Sequence, residues 1–550
     1  MKNKGMAWLQ NKQRQVWLEY AGLALFVMIP LLLPGYILTL DLVFTPHFVL
    51  PSEVTNTHLL NGTLWALHFI LPGDVIEKVI LFLILLLSGV GMHLLVHSLR
   101  PVAVRTEYWK VATYFAGLLY VINPFTYSRF MAGQWMVLLG YALLPFFIRA
   151  LFALLRSPSL KSARTVSLFA LVISIVSLHH IGMLLCLGLL VIAGASGAYR
   201  HNRPHLTRFF GWVGASMLFF CIASLYWVIP VLAGHGEVGA SIANFNQSHF
   251  DAFKTNGNGA FGAIGEVIRM QGFWAEAQKL FVLPQVIVPM WGLIVLVLWI
   301  VIIYGGKKAW HHNRLVVGFS VGSIIIGTIL AATPLIASLK EVLPFVAGYR
   351  EPHKFTNLVV IGYALLGAFG VGYLLQATAK RFNEKTAKIA GFICLALPLL
   401  ITPTMLWGFS GQLSPRTYPG EWFEVNDYLK KNAKGERVLF LPWHQYANYS
   451  FSKRLIANPA EKFFEVLMII SDDPEFRSVP PTQPNSDKQQ IATLLKDKRD
   501  ISPILTRLHI GYVVLAKEQD FKEYGYLATT PGMYVVKENE KVKLYKVGER

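Results

Sequence analysis

Four ionisable residues stand within five positions in the segment LPFVAGYREPHKFTN, namely Arg350, Glu351, His353 and Lys354. An arginine and a lysine this close together can hold a phosphate, the arginine through paired hydrogen bonds and the lysine as a point charge. The alternative is a membrane-edge anchor, in which basic side chains snorkel to the head groups. Because a plain anchor needs neither Glu351 nor His353, the cluster favours a substrate site, with Arg350 and Lys354 on a phosphate.

A single carboxylate, Asp41, lies inside the apolar segment GYILTLDLVFTP. At a membrane boundary a solvated carboxylate would need no partner. Its neighbours Leu40, Leu42, Val43 and Phe44 are all apolar, so Asp41 belongs to a hydrophobic loop. A charge there is costly unless it is paired or takes part in chemistry. The pattern therefore predicts a functional Asp41.

Other polar residues are candidates for binding a substrate. Arg129 and Gln134 occur in NPFTYSRFMAGQW, and Arg129 could reach the anionic head group of a substrate or of ordinary lipid. His179 and His180 are adjacent but have no HExxH motif or third ligand nearby, so hydrogen bonding to substrate or backbone is favoured over a metal site. Asp251, in FNQSHFDAFKT, is a candidate second acid.

The composition identifies the class of protein that carries these residues. The 550 residues are 54% hydrophobic and only 15% charged, whereas globular domains carry about 25% charged residues. The sequence contains no Walker, GxSxG or HExxH motif, and its three cysteines have no CxxC spacing. These features predict a multi-span membrane protein without a nucleotide or haem cofactor, and they leave a divalent cation open.

Eleven apolar segments are each close to the roughly 20 residues that cross a bilayer. They are about 17–38, 76–98, 109–122, 136–155, 164–178, 181–198, 210–232, 284–304, 315–337, 357–377 and 389–408. Lysine and arginine concentrate in alternate loops, which the positive-inside rule places in the cytoplasm. The net charge of +19 is therefore a topology signal and does not indicate a nucleic-acid partner. The N-terminus is predicted to be cytoplasmic.

The opposite loops are long, at 39–75, 233–283 and 338–356, and they carry most of the acidic residues of the membrane part, residues 1–408. Because function concentrates in long loops on a rigid scaffold, we expect the chemistry on the outer face. Residues 409–550 change character. EWFEVNDYLKKN and DKQQIATLLKDK predict helices, ERVLFLPW and IGYVVLAK predict buried strands, and MYVVKENEKVKLYKV predicts a hairpin. This pattern favours an extracytoplasmic α/β domain.

An acidic residue in the first outer loop, an interfacial helix in THLLNGTLWALHFILP, about eleven spans and an outer α/β domain together resemble the GT-C superfamily. These integral-membrane glycosyltransferases use polyprenyl-phosphate sugars. Within it, the chain resembles the membrane half of mycobacterial arabinofuranosyltransferases of the AftD type and YfhO-like membrane proteins. YREPHKF is similar to an Arg-x-x-His-Lys-Phe element of those arabinofuranosyltransferases. NPFTYSRFMAGQW, LYWVIP and VLFLPWHQY are similar to segments of bacterial and archaeal GT-C-like proteins.

The resemblance implies transfer of a sugar from a polyprenyl-phosphate donor to an envelope glycan, lipid or protein at the outer face of the cytoplasmic membrane. Arg350, Lys354 and Arg129 would hold the donor phosphate. Asp41 would be the general base, and inversion would follow from direct displacement. The outer domain, through the LPWHQY strand end, would position the acceptor or serve as a stabilising lid. The alternative is a non-enzymatic exporter or assembly factor for a lipid-linked polysaccharide, which predicts a continuous polar path between the helices.

Overall fold

A computed structural model of the chain describes residues 2–51, 53–233, 245–257, 261–472 and 486–548. Long helices occupy all eleven predicted apolar segments. Their bounds are α1 Lys2–Met28, α2 Gly73–His97, α3 Thr106–Val121, α4 Trp135–Arg156, α5 Leu160–Val176, α6 His180–Ala198, α7 Arg203–Leu232, α8 Trp291–Ala309, α9 Arg314–Ala332, α10 Thr356–Arg381 and α11 Glu384–Ile401. Within the described ranges, seven are long and apolar enough to cross a membrane, or eight if the bent segment that begins with α11 is one span. The protein is therefore an integral membrane protein.

Prolines end the first helix before the predicted segment ends. The first segment was expected to run to residue 38, but α1 ends at Met28 and one 3₁₀ turn, Ile29–Leu31, follows it. Pro30 and Pro34 cannot donate the backbone hydrogen bonds that a continuing helix needs. The chain beyond them is consequently extended and free to carry Asp41 to the end of the bundle.

Helix α10 is the centre of the bundle, and 89% of its apolar window is buried inside the protein. It packs against α3, α8 and α9. At the crossing with α8, a Cβ built on Gly370 would lie 2.0 Å from the carbonyl oxygen of Val301. Only glycine permits so close an approach, as is common between membrane helices. The 3₁₀ turn Pro352–Phe355 leads directly into α10, so the rigid centre of the bundle positions the charged cluster.

Short helices fill the connections between the long ones. They span His58–His68, Pro124–Met131, Gln247–Phe253, Gly262–Ile268, Pro284–Ile287 and Leu335–Leu339. The first of them confirms the helix expected in THLLNGTLWALHFILP. In the predicted outer loop 233–283, residues 234–244 and 258–260 lie outside the described residues.

A five-stranded sheet forms the C-terminal region, in the order β4-β1-β5-β7-β6. The strands are β1 Arg437–Leu441, β4 Met468–Ile469, β5 Ile510–Ala516, β6 Met533–Glu538 and β7 Val542–Val547; β2 Tyr446–Asn448 and β3 Leu455–Ala457 pair separately. Strand β1 runs parallel to β4 and β5, whereas β7 pairs antiparallel with β5 and β6. Both predicted strands and the predicted hairpin are confirmed.

Helices cover both faces of this sheet, as buried parallel strands require. Helix Gly420–Asn432 buries Trp422 against Phe440 of β1, on the face that also carries Val438. Helix Asp487–Lys496 buries Ile491 and Leu495 against the opposite face. Every residue of β5 is buried. Because helices pack on both of its faces, the sheet is a rigid base for the segments that face the membrane bundle, including strands β2 and β3.

Candidate functional site

Asp41 lies at the tip of a tight turn that the C-terminal region holds in place. Thr39 and Leu42 exchange backbone hydrogen bonds of 3.2 and 2.7 Å across the turn. On its other side, Leu40 donates to the carbonyl of Leu455 at 3.0 Å and accepts from Ala457 at 2.8 Å, so the loop adds to β3. Leu40 has a φ of 35°. Positive φ is unfavourable for leucine and is maintained only where the surroundings impose it, commonly at functional sites.

The turn between the helix Pro124–Met131 and α4 packs directly onto the Asp41 turn. Asp41 donates its backbone N–H to the carbonyl of Ala132 at 3.1 Å. Gly133 has a φ of 69°, and a Cβ built there would lie 2.2 Å from the backbone nitrogen of Leu42. Both its conformation and the space around it require glycine.

Replacing Gly133 by alanine is expected to destabilise the protein by about 2 kcal/mol or more, since the methyl group must displace the Asp41 turn. Thermal unfolding of the purified protein in detergent would measure this loss. Gly62→Ala is the matched control, because Gly62 lies in a helix with no atom within 4 Å of an added Cβ. That variant should be unchanged or slightly more stable. Equal melting temperatures for both variants would contradict the packing role of Gly133.

The carboxylate of Asp41 has partners from both parts of the chain. Its Oδ1 accepts a hydrogen bond of 2.7 Å from the hydroxyl of Tyr446, at the start of β2, and its Oδ2 accepts one of 3.4 Å from Nε2 of Gln134. Burial raises the pKa of Asp41, and the hydrogen bond from Tyr446 opposes that rise only in part. A raised pKa brings a carboxylate closer to the range in which a general base works best at neutral pH.

A buried charge cluster lies beside the Asp41 turn. Arg129, which is 0% exposed, pairs with Oε1 of Glu351, donates to Oε1 of Gln134 at 2.6 Å, and lies 2.6 Å from Nδ1 of His353. Nε2 of His353 is 2.9 Å from the carbonyl oxygen of Gln271, so it carries the proton and Nδ1 accepts from the arginine. Arg129 is thus held by three side chains and is a structural centre of the site.

Glu351 forms ion pairs with two cations, Arg129 and Lys354. Lys354 Nζ lies 3.0 Å from Oε2 of Glu351 and 3.0 Å from Nε2 of His179. Burial opposes the charge on Glu351, but the cations Lys354 and Arg129 outweigh it and lower the pKa of this carboxyl. The glutamate therefore stays ionised at neutral pH and fixes both cations in place.

Arg350 lies on aromatic rings instead of an acid. Its guanidinium carbon is 4.2 Å from the ring centroid of Phe245 and 5.1 Å from that of Phe253. Burial lowers the pKa of Arg350, and the nearby negative charge of Glu351 opposes this shift. No hydrogen bond or ion pair of its side chain occurs within the part of the chain that the structure describes. A cation stacked in this way keeps its N–H donors available for an anion.

Asp41 and Lys354 face one cavity of about 500 Å³, between the end of the bundle and the C-terminal region. Its polar lining also includes Gln134, His179 and Lys462, which projects from the helix Ala460–Phe463. The aromatic and other lining residues include Phe44, His47, Phe48, Asn56, Asn61, His68 and Trp135. A carboxylate and two lysines thus share a space large enough for a small polar ligand.

Six of the predicted residues are not among those that line the cavity. Arg129, Arg350, Glu351 and His353 belong to the charge cluster beside it, and His180 and Asp251 lie elsewhere. His180 is fully buried, with Nδ1 2.9 Å from the hydroxyl of Ser177 and its ring packed against Gly140. Asp251 lies at the surface, where its Oδ1 is 3.6 Å from Nζ of Lys254. Among the described residues, no group of three or more His, Cys, Asp or Glu side chains is arranged to hold a metal ion.

Sequence reasoning missed Tyr446 and Lys462 as site residues. Tyr446 belongs to the segment VLFLPWHQY, which pointed to the right strand end without singling out the hydroxyl. Lys462 stands in the segment NPAEKFFEV of the C-terminal region, and a lysine in such a region is usually only solvated. Contacts across more than 400 residues of sequence bring both of them to the Asp41 loop. The hydroxyl of Tyr446 donates to Asp41, and Nζ of Lys462 donates to the carbonyl of Val43 at 3.5 Å.

The architecture matches solved structures of membrane glycosyltransferases. The sequence itself matches no family model and no curated protein sequence. Among solved structures, 98% of the chain superimposes on the arabinofuranosyltransferase AftD from Mycobacteria, with a TM-score of 0.64 and 14% identity. The fold is GT-C-like. The chain spans 40% of the length of that protein.

Two further solved structures also match this GT-C-like chain in the comparison. A mutant form of AftD matches over 98% of the chain and 42% of its own length, with a TM-score of 0.59 and 14% identity. The Archaeoglobus fulgidus oligosaccharyltransferase matches over 94% of the chain and 70% of its own length, with a TM-score of 0.44 and 12% identity. The resemblance expected from the sequence is confirmed at the level of the fold.

Proposed function

We propose that this protein transfers a sugar from a polyprenyl-phosphate-linked donor to a glycan, lipid or protein acceptor of the cell envelope, at the outer face of the membrane. The observation that carries the proposal is the shared cavity of Asp41 and Lys354 at the end of the membrane bundle. A lipid-linked sugar has its reactive head group at this depth, because its chain stays in the bilayer. The GT-C-like fold supports the same class of reaction.

Different residues of the site act on the donor and on the acceptor. Lys354 and Arg350 bind the donor phosphate and stabilise the negative charge that grows on it. The acceptor oxygen forms a bond to the anomeric carbon while the bond from that carbon to the phosphate oxygen breaks. The phosphate leaves with the electron pair, Asp41 takes the acceptor proton, and the anomeric configuration inverts. Arg129 positions Glu351, and Glu351 in turn holds Lys354, so Arg129 acts on the donor indirectly. His179 orients the same lysine.

The first test is genetic and chemical. Cells without the native copy are compared with cells that carry the wild-type chain, and their envelope glycans and lipid-linked sugars are measured. The proposal predicts that one glycan is lost and that its polyprenyl-phosphate sugar accumulates. The contrary result is a whole polymer that is missing from the envelope and retained inside the cell with every glycosidic linkage intact. That result would overturn transfer in favour of export.

Arg350→Gln is expected to weaken donor binding by at least tenfold, since a charge-assisted contact with phosphate contributes about 1.5–3 kcal/mol. The KM for the accumulated lipid donor should rise more than kcat falls, measured with the purified protein. Lys254→Gln is the matched control, because Lys254 is exposed and pairs with Asp251 at the surface. An unchanged KM in Arg350→Gln would remove this residue from the donor site.

A further inference from the structure

A second cavity, of about 740 Å³, opens between the membrane bundle and the C-terminal region. One wall is formed by residues 276–286 of the connection before α8, and the other by residues 412–416 and 452–454. Leu38 lines this cavity, whereas Asp41, three residues later, lines the first. The extended segment after α1 therefore separates two distinct spaces.

Four basic residues line this second cavity, namely Lys279, Arg416, Lys453 and Arg454. Arg454 is fixed, because it donates to the carbonyl of Gln412 at 2.9 Å and to the carbonyl of Leu280 at 3.2 Å. Within the described ranges, the side chains of the other three form no ion pair. We call this cavity the basic pocket.

One acidic residue, Glu276, also lines the basic pocket, but it offsets little of this charge. Its Oε2 accepts the backbone N–H of Gly272 at 2.8 Å. Burial raises the pKa of Glu276 to about 7, so it is partly protonated at neutral pH. Four cations facing one partly neutral acid are suited to an anion with more than one negative oxygen.

The backbone of the basic pocket has an unusual feature. Lys279 and Lys453 both adopt the left-handed region, with φ of 55° and 53°. This conformation is unfavourable for lysine, and such residues persist where surrounding structure fixes them, often at ligand sites. The two lysines approach the pocket from opposite walls, so a ligand between them would bridge the bundle and the C-terminal region.

Apolar residues continue from the basic pocket to the membrane. Val282 and Val286 line it, and Val286, Ile287 and Met290 expose 73%, 49% and 72% of their surface just before α8 begins at Trp291. The start of a spanning helix lies at the head-group level. A ligand with a negative head and an apolar body matches this arrangement of cations beside exposed hydrophobic side chains.

We propose that the basic pocket binds the phosphate of an anionic lipid head group, with the lipid chains on the apolar surface around Val286. The phosphate lies between Lys279 and Lys453 and receives hydrogen bonds from Arg416. This site is separate from the proposed transfer site, and its occupancy does not require the protein to be an enzyme. The lipid ties the C-terminal region to the membrane surface.

The test uses the full chain reconstituted in nanodiscs of equal parts phosphatidylglycerol and phosphatidylcholine. After extraction into detergent, native mass spectrometry counts the lipids that remain bound. We expect wild type to retain phosphatidylglycerol at least fivefold over phosphatidylcholine and Lys279→Asn/Lys453→Asn to lose this preference. Asparagine tolerates a positive φ, so the backbone is preserved. Lys434→Asn/Lys498→Asn is the control, since it removes the same charge from exposed sites and Lys498 also has a φ of 53°.

A double variant of the basic pocket that keeps the wild-type preference would overturn the proposal. A second arm adds soluble glycerol 3-phosphate during extraction. If millimolar glycerol 3-phosphate displaces the bound lipid completely, the pocket recognises free phosphate esters and the lipid assignment fails. If the lipid stays bound, the chains contribute as proposed. Size-exclusion and thermal unfolding profiles that match wild type establish that the variants are folded.

Discussion

Asp41→Asn is expected to lower kcat for sugar transfer by about 10²- to 10⁴-fold, the usual contribution of a positioned general base. Asparagine keeps the shape of the side chain and can still accept the hydrogen bond from Tyr446 through its amide oxygen. It cannot take a proton from the acceptor hydroxyl at neutral pH. Transfer of labelled sugar from the accumulated lipid donor by purified wild type and variant, at matched amounts, measures the effect. Full activity in the asparagine variant would exclude Asp41 as the base.

The pH profile separates a base from a residue that only shapes the site. Burial raises the pKa of Asp41, so the reactive carboxylate is lost as the pH falls through a value above that of an ordinary aspartate. The hydrogen bond from Tyr446 lowers this pKa, and Tyr446→Phe should therefore raise it further. The acid limb of kcat/KM should move to higher pH in Tyr446→Phe. A limb that does not move would assign the tyrosine a purely structural role.

Glu351→Gln is expected to reduce the free energy of unfolding by about 3–5 kcal/mol, because it removes one partner from a buried charge network. Arg129 and Lys354 would both lose the carboxylate that pairs with them. The lowered pKa of Glu351 means that its contribution is present at neutral pH and is lost only as the pH falls through the lowered value. Thermal unfolding in detergent, followed by intrinsic fluorescence, measures the loss.

A surface carboxylate provides the comparison for Glu351. Glu538 pairs with Lys517 at 2.9 Å and with Lys543 at 3.5 Å, and its side chain is 45% exposed. Exposed pairs contribute about 0–1 kcal/mol, so Glu538→Gln should barely change the melting temperature. In Glu351→Gln/Lys354→Met one unpaired cation is removed, and part of the stability should return. A melting temperature for Glu351→Gln equal to that of Glu538→Gln would contradict the central role of the buried cluster.

The sequence was most informative where a polar residue stands in an apolar context. Asp41 and the cluster around Glu351 were identified in this way, because burial makes an isolated charge costly and therefore conspicuous. Hydropathy predicted the helices, and short apolar segments predicted the buried strands of the small sheet. The early end of α1 depended on Pro30 and Pro34, which a hydropathy window does not register.

The roles of other residues depended on packing that no local pattern reports. Arg129 was expected to contact a phosphate, yet it lies inside the protein with Glu351, His353 and Gln134. A sequence gives the charge of an arginine, but it does not show whether the side chain points into the protein or toward a ligand. Tyr446 reaches Asp41 only because the loop around Leu40 joins β3. Such long-range pairing is set by the tertiary fold.

The attachment of the Asp41 turn to β3 also fixes the stage of biosynthesis at which the candidate site can assemble. The ribosome makes the membrane bundle first, and at that stage neither the strand that holds Leu40 nor the hydroxyl that binds Asp41 has been synthesised. The newly inserted helices therefore carry an incomplete candidate site. Asp41 gains its tyrosine partner only after residues 446–457 have been made and have docked on the loop around Leu40, so a chain that stops before them would lack the complete candidate site.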